Sequence, residues 1–189
     1  MLTDNITMLN LSWTKLSQIE PLENLFSLSC KHLTVLKLDS CNFLNGYLLR
    51  VIAVNCTELT HLSLRSCTNV QSDHDLTNYC FNELKSLKKL ISLDLYRTLC
   101  DQESVNEILF NCNQIKYLNL GSCTRINDFD EICKTISIYC KQIKSLDLWR
   151  AYSLTPKGIY LLANNCTDLE DLDLGWWLVS KFFIQILLI

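Results

Sequence analysis

Apolar and polar residues follow two different periods along this chain, and the two periods alternate. The stretch "CNQIKYLNL", residues 112 to 120, sets Ile115, Leu118 and Leu120 in the order apolar-x-x-apolar-x-apolar. Its closing alternation suits a short strand with one buried face. The next stretch, "NDFDEICKTISIYC", residues 127 to 140, instead spaces Phe129, Ile132, Cys133, Ile136 and Cys140 by threes and fours. Those five residues share one helix face. In "TPKGIYLLANNC", residues 155 to 166, Thr155 and Pro156 read as the N-cap and first-turn proline of a further helix. Asn127 is expected to cap the helix before it in the same way.

The strand pattern returns seven times. Its closing leucines are Leu11, Leu38, Leu64, Leu95, Leu120, Leu148 and Leu174, in steps of 27, 26, 31, 25, 28 and 26 residues. A period in the twenties headed by L-x-x-L-x-L is the signature of a leucine-rich repeat. One short strand and one short helix cannot bury their apolar faces alone, but stacked copies can. The expected fold is therefore an α/β leucine-rich-repeat solenoid, a right-handed horseshoe with parallel strands on the concave side and helices on the convex side. About seven repeats, the first and last incomplete, are expected over residues 1–178. After Trp176 the pattern collapses into "WLVSKFFIQILLI". Residues 179–189 read as an atypical apolar tail, too short for a membrane span of about 20 residues.

Composition narrows the classes of partner. The chain has 189 residues, of which 49% are hydrophobic and 20% charged, a globular balance. Its formal net charge of −3 offers no basic surplus for nucleic acid. Of the 11 cysteines, most fall in two repeat slots, one before the strand and one after it: Cys30/Cys41, Cys56/Cys67 and Cys112/Cys123, with Cys140 and Cys166. The number is odd, and "MLTDNITMLNLSW" lacks the features of a secretory signal. They are expected to be reduced thiols packing as small hydrophobes in an intracellular, cytoplasmic or nuclear protein. No C-x-x-C pair suggests a metal ligand set.

The residues between and after the core leucines are the ones that packing does not dictate. The first outward column reads Asn10, Lys37, Ser63, Asp94, Asn119, Asp147, Asp173. The next reads Ser12, Asp39, Arg65, Tyr96, Gly121, Trp149, Gly175, and the last Trp13, Ser40, Ser66, Arg97, Ser122, Arg150, Trp176. Tyr96–Arg97 and Trp149–Arg150 combine aromatics with arginine, the residue types enriched at binding hot spots. A second reading has Trp149 cover a neighbouring strand and Arg150 pair with Asp147 or Asp173. Strand spacing places the two pairs about 10 Å apart. The candidate protein-binding face is thus Arg65, Tyr96, Arg97, Tyr117, Trp149 and Arg150.

The pattern C-x-x-L-x-x-L-x-L-x-x-C, followed by I/L-T/N-D and a short helix, resembles the cysteine-containing leucine-rich repeats of F-box proteins. Its best copy is "CNQIKYLNLGSCTRIND", residues 112 to 128, and the strings "LNLSWT", "LYRT", "LGSC", "LDLWR" and "LEDLDLGW" extend the likeness over about residues 5–176. The resemblance implies a module that selects protein substrates for Skp1–cullin–F-box ubiquitin ligases. A repeat protein that binds a regulator without ubiquitination is the alternative. An F-box, of the type L-P-x-E-[IVL], has no counterpart before residue 5, so contact with Skp1 and cullin is expected only through a segment missing here. The chain reads as a fragment or a short gene product.

Enzyme chemistry is not suggested. Of His32, His61 and His74, only His61 lies in an outward column, with no serine or cysteine partner at a recognisable spacing. Gly46, Gly121, Gly158 and Gly175 are isolated, so no phosphate loop forms, and no cofactor is implied. Asp94, Asp147 and Asp173 read as a solvated polar strand face, spread over too many strands to share one ion.

Overall fold

Leucine spacing sets the strands, and the strands set the stack. The computed structural model describes residues 5–68 and 79–176. Seven strands of three residues each run in chain order: β1 (Met8–Asn10), β2 (Val35–Lys37), β3 (His61–Ser63), β4 (Ser92–Asp94), β5 (Tyr117–Asn119), β6 (Ser145–Asp147) and β7 (Asp171–Asp173). They form one parallel sheet in the order β1-β2-β3-β4-β5-β6-β7. The central leucines align across it, Leu9 with Leu36, Leu62, Leu93, Leu118, Leu146 and Leu172 in turn. With a side-chain period of two, this register turns every unit's leucines to one side.

Opposite the sheet lie α1 (Glu20–Ser29), α2 (Gly46–Asn55), α3 (Gln102–Asn111), α4 (Phe129–Tyr139) and α5 (Pro156–Asn165). Between Leu64 and Leu95, where the repeat spacing is longest, a 3-10 helix over Tyr79–Ser86 takes the helical place. Helices pack 8–10 Å apart and strands about 4.8 Å apart. The stack therefore curves with its strands inside, an open leucine-rich-repeat solenoid. The core lies between the layers. Leu36, Leu62, Leu93, Leu118 and Leu146, and the leucines two residues on, are all buried. At the ends, Leu9, Leu11, Leu172 and Leu174 are only partly buried, as expected for units with one neighbour.

The predicted helix face of α4 is confirmed: Phe129, Ile132, Cys133, Ile136 and Cys140 are all buried. Thr155 caps α5, its hydroxyl accepting from the Lys157 N–H, with Pro156 in the first turn. Asn127 does not cap α4. Asp128 does, accepting from the Glu131 N–H at 3.1 Å, because the helix starts one residue later than the pattern suggested. Asn45 and Asp101 cap α2 and α3 through the same three-residue reach.

Ten of the eleven thiols are buried, and Cys80 is half-buried. Each slot has a structural use. Cys30, Cys56, Cys112, Cys140 and Cys166 are the helix C-caps. Cys41, Cys67 and Cys123 point their sulfurs at the carbonyls of Leu11, Leu38 and Leu95, one unit back, at 3.1, 2.9 and 3.1 Å. These three thiols are therefore weak donors as well as small hydrophobes. Burial pushes most thiols up, Cys41 and Cys112 to about 11 and Cys56, Cys67 and Cys140 to about 12.

Candidate functional site: an aromatic and arginine stack on the strand side

After each strand the chain turns the same way. Trp13, Ser40, Ser66, Arg97, Ser122, Arg150 and Trp176, the last outward column, all have φ between 54° and 65°. This left-handed region is uncommon for residues other than glycine. Ladder bonds between units hold it. The N–H groups of Ser66, Arg97, Ser122 and Arg150 donate to the carbonyls of Tyr96, Gly121, Trp149 and Gly175, at 2.8, 2.8, 2.7 and 2.8 Å. Inside each turn the last strand residue acts as a local acceptor. Asp94, Asn119, Asp147 and Asp173 each take the N–H two residues on, at 3.0, 2.9, 2.9 and 2.7 Å. The aspartate column read as a solvated strand face is thus a row of turn acceptors.

On this frame four of the expected residues form one stack. The Arg65 guanidinium lies 4.6 Å from the Tyr96 ring centre. Tyr96 and Trp149 are 6.0 Å apart between centroids and inclined at 37°. Trp149 meets Trp176 edge to face at 6.3 Å and 70°. Arg150 stands 4.3 Å from the Trp149 centroid and 4.8 Å from that of Trp176. The stack therefore spans the units of β3 to β7.

Three expectations change. The separation of about 10 Å drawn from strand spacing becomes 6.0 Å between the rings of Tyr96 and Trp149, because Gly121 lies between them. A Cβ at Gly121 would stand 3.0 Å from Tyr96 Cδ2 and 2.9 Å from an Asp147 carboxylate oxygen. Arg97 and Tyr117 are exposed and take no part in the ring stack among the described residues. Trp176 belongs to the stack and was absent from the candidate face. Its place in the same column as Arg150 was the signal for it.

Charge is distributed unevenly along the stack. Arg65 forms an ion pair with Asp94 at 2.9 Å. Partial desolvation works against its charge, but the Asp94 hydrogen bond and charge outweigh it, and its pKa is raised. Arg150 forms no ion pair with Asp147, Asp173 or any other described residue. Burial pushes the Asp147 carboxyl up, against the Trp149 N–H it accepts, and Asp173 and Asp94 add repulsion. Near β1–β4 the strand side holds a hollow of about 520 Å³ lined by Lys37, Asp39, Arg65 and Asp94 among others. His61 is exposed at its edge, its Nδ1 hydrogen-bonded to the Thr60 hydroxyl at 2.9 Å. Among the described residues no group of three or more His, Cys, Asp and Glu gathers at one point. His74 and the apolar tail at 179–189 lie outside the described residues.

Comparison with known proteins agrees with this architecture. The chain is 36% identical over 171 residues to F-box/LRR-repeat protein 4 of Bos taurus, a match covering 89% of this chain and 27% of that protein. It thus spans about a quarter of that relative's length. Among solved structures it is similar to internalin C2 of Listeria monocytogenes, at a TM-score of 0.58 and 18% identity, covering 91% of this chain and 72% of that one. It is also similar to the tropomodulin C-terminal domain of Caenorhabditis elegans, at a TM-score of 0.52 and 10% identity, covering 80% and 93%. These two likenesses show the fold alone. No protein-family model matches the chain.

Proposed function

We propose that this repeat array, similar in sequence to part of F-box/LRR-repeat protein 4, is a protein-recognition module that binds its partner through the stack of Arg65, Tyr96, Trp149, Arg150 and Trp176. One observation carries the reading. Large rings and guanidiniums stand on the strand side already packed against one another, so little side-chain freedom is lost on binding. Arg97 and Tyr117, exposed on the same side, are proposed as rim contacts.

The finer reading is that, when joined to an F-box, the module selects substrates for a Skp1–cullin–F-box ubiquitin ligase. The sequence likeness to an F-box/LRR-repeat protein supports it. The buried thiols favour a reducing, intracellular setting. Among the described residues no helix is long and apolar enough to cross a membrane.

The test joins the chain to an F-box segment and follows the half-life of a protein captured by the bare chain. A shortened half-life that requires Skp1 supports delivery to a ligase. Capture with an unchanged half-life supports the scaffold or regulator reading instead.

A further inference from the structure

We propose that the pocket beside Arg150 binds an oxyanion, a carboxylate or phosphate group carried on the protein partner. The proposal rests on the protein-recognition reading above and adds the chemistry of one anchor point.

Arginine is not needed at this position for the fold. Ser40, Ser66 and Ser122 hold the same left-handed turn with φ near 55°, and Ser122 donates the same ladder bond. The guanidinium is nonetheless tightly placed. Two indole rings hold it, at 4.3 and 4.8 Å. Its Nε is shielded and donates to no described atom. A cation desolvated on one side and left without a counter-charge is costly, so an arriving anion gains more here than at a freely solvated arginine.

Arg65 provides the contrast. It also lies over a ring and lines a hollow, but Asp94 already neutralises it at 2.9 Å, and Asp39 lines the same hollow. Asp147 and Asp173, which close the strand of the Arg150 unit and the strand after it, each spend one oxygen on their own turn.

Arg150 lines a cavity of about 310 Å³ together with Ser122, Thr124, Asn127, Tyr152 and Ser153. These supply hydroxyl and amide donors, and none of the described lining residues is acidic. Ser153 Oγ accepts from the Phe129 N–H at 3.1 Å, which leaves its own hydrogen to donate elsewhere. With Nε shielded, the terminal nitrogens are the donors that Arg150 has left to offer an anion, and the hydroxyls of the lining would complete its shell. The cavity is larger than an oxyanion needs, so it also accepts the side chain that carries one.

The test uses the full chain labelled with nitrogen-15. Sodium phosphate and sodium acetate are titrated separately at constant ionic strength made up with sodium chloride. The Arg150 Nε–H signal, assigned by its loss in Arg150→Gln, should shift saturably. A response to phosphate alone identifies a phosphorylated residue as the source, and a response to acetate as well identifies a carboxylate. In Arg150→Gln the accompanying shifts at the Ser122 and Thr124 amides should weaken at least about tenfold in apparent affinity. Thr124→Val, at an exposed position, is the second variant and should weaken binding about threefold. Absence of a saturable shift, or equal amide shifts in wild type and both variants, overturns the proposal. The two readings fail separately. Anion binding together with protein capture that ignores Trp149→Ala retains the pocket and removes protein recognition by the stack. Capture that needs Trp149 without any anion response does the reverse.

Discussion

The rings of Tyr96 and Trp149 lie 6.0 Å apart between centroids although β5 runs between their strands. Gly121 makes this approach possible, and its absent side chain is therefore a part of the surface. Gly121→Ala would introduce a methyl group 3.0 Å from Tyr96 Cδ2 and 2.9 Å from Asp147 Oδ1. Both neighbours are side-chain atoms, but Asp147 Oδ1 is held by the Trp149 N–H, so the expected cost is about 1–3 kcal/mol, the usual range for overpacking. The rings should separate. Near-ultraviolet circular dichroism should lose intensity while the far-ultraviolet spectrum stays the same. An unchanged near-ultraviolet spectrum would mean that Gly121 does not set the ring spacing.

Leu148 is fully buried beneath this surface and follows β6 into the turn. Leu148→Ala should lower stability by about 2–5 kcal/mol. Because each unit is stabilised by its neighbours, the loss should spread beyond its own repeat. Chemical denaturation measures it, and a neutral result would reverse the assigned strand face.

Asp147 gives a pH-dependent prediction. Burial raises its carboxyl pKa above the ordinary 3.8, so the folded state holds this proton more tightly than the unfolded state does. The contribution of Asp147 to stability is therefore most favourable below the ordinary carboxylate range and is lost as pH rises through the raised value. Asn119 performs the same turn-accepting role one unit earlier, bonding the Gly121 N–H at 2.9 Å. Asp147→Asn should keep the turn and remove the charge. Its melting temperature should exceed that of wild type at neutral pH, and the difference should vanish in acid. A variant less stable than wild type at neutral pH would show that the charge is favourable where it stands.

Thiol reactivity separates packing from pairing. In the native chain at about pH 8, near the ordinary thiol pKa, Cys80 should be alkylated first, because the other ten thiols are buried. After denaturation without reductant, all 11 cysteines should react. A denatured count near one would mean that the thiols are paired instead.

The leucine ladder and the curvature were legible in the sequence because burial has to repeat with the unit. Leu118 and Leu146 meet across the sheet only if every copy keeps the same phase. The Thr155 cap was legible because Pro156 marks the first turn beside it. The Asp128 cap was not, since Asn127 and Asp128 are adjacent and both can accept. Nor was the left-handed turn. Trp13, Arg97 and Arg150 do not favour positive φ by themselves, and the bonds that hold Arg97 and Arg150 there come from the next repeat. The ring stack escaped for a related reason. Column membership places side chains by strand, whereas Tyr96 and Trp149 reach across the gap left by Gly121. Arg97 is adjacent to Tyr96 in sequence, but of the two only Tyr96 joins the stack.

We propose that the stack around Trp149 and Arg150 recognises a protein. The most direct test is quantitative capture from cell extract by the wild-type chain and by the double variant Trp149→Ala with Arg150→Ala, with far-ultraviolet circular dichroism recorded on both. Losing an anchor of either type typically costs about 2 kcal/mol or more of binding. Specific capture should disappear while the double variant keeps the wild-type spectrum. Undiminished capture by a well-folded double variant would contradict this proposal and move the binding surface off this stack.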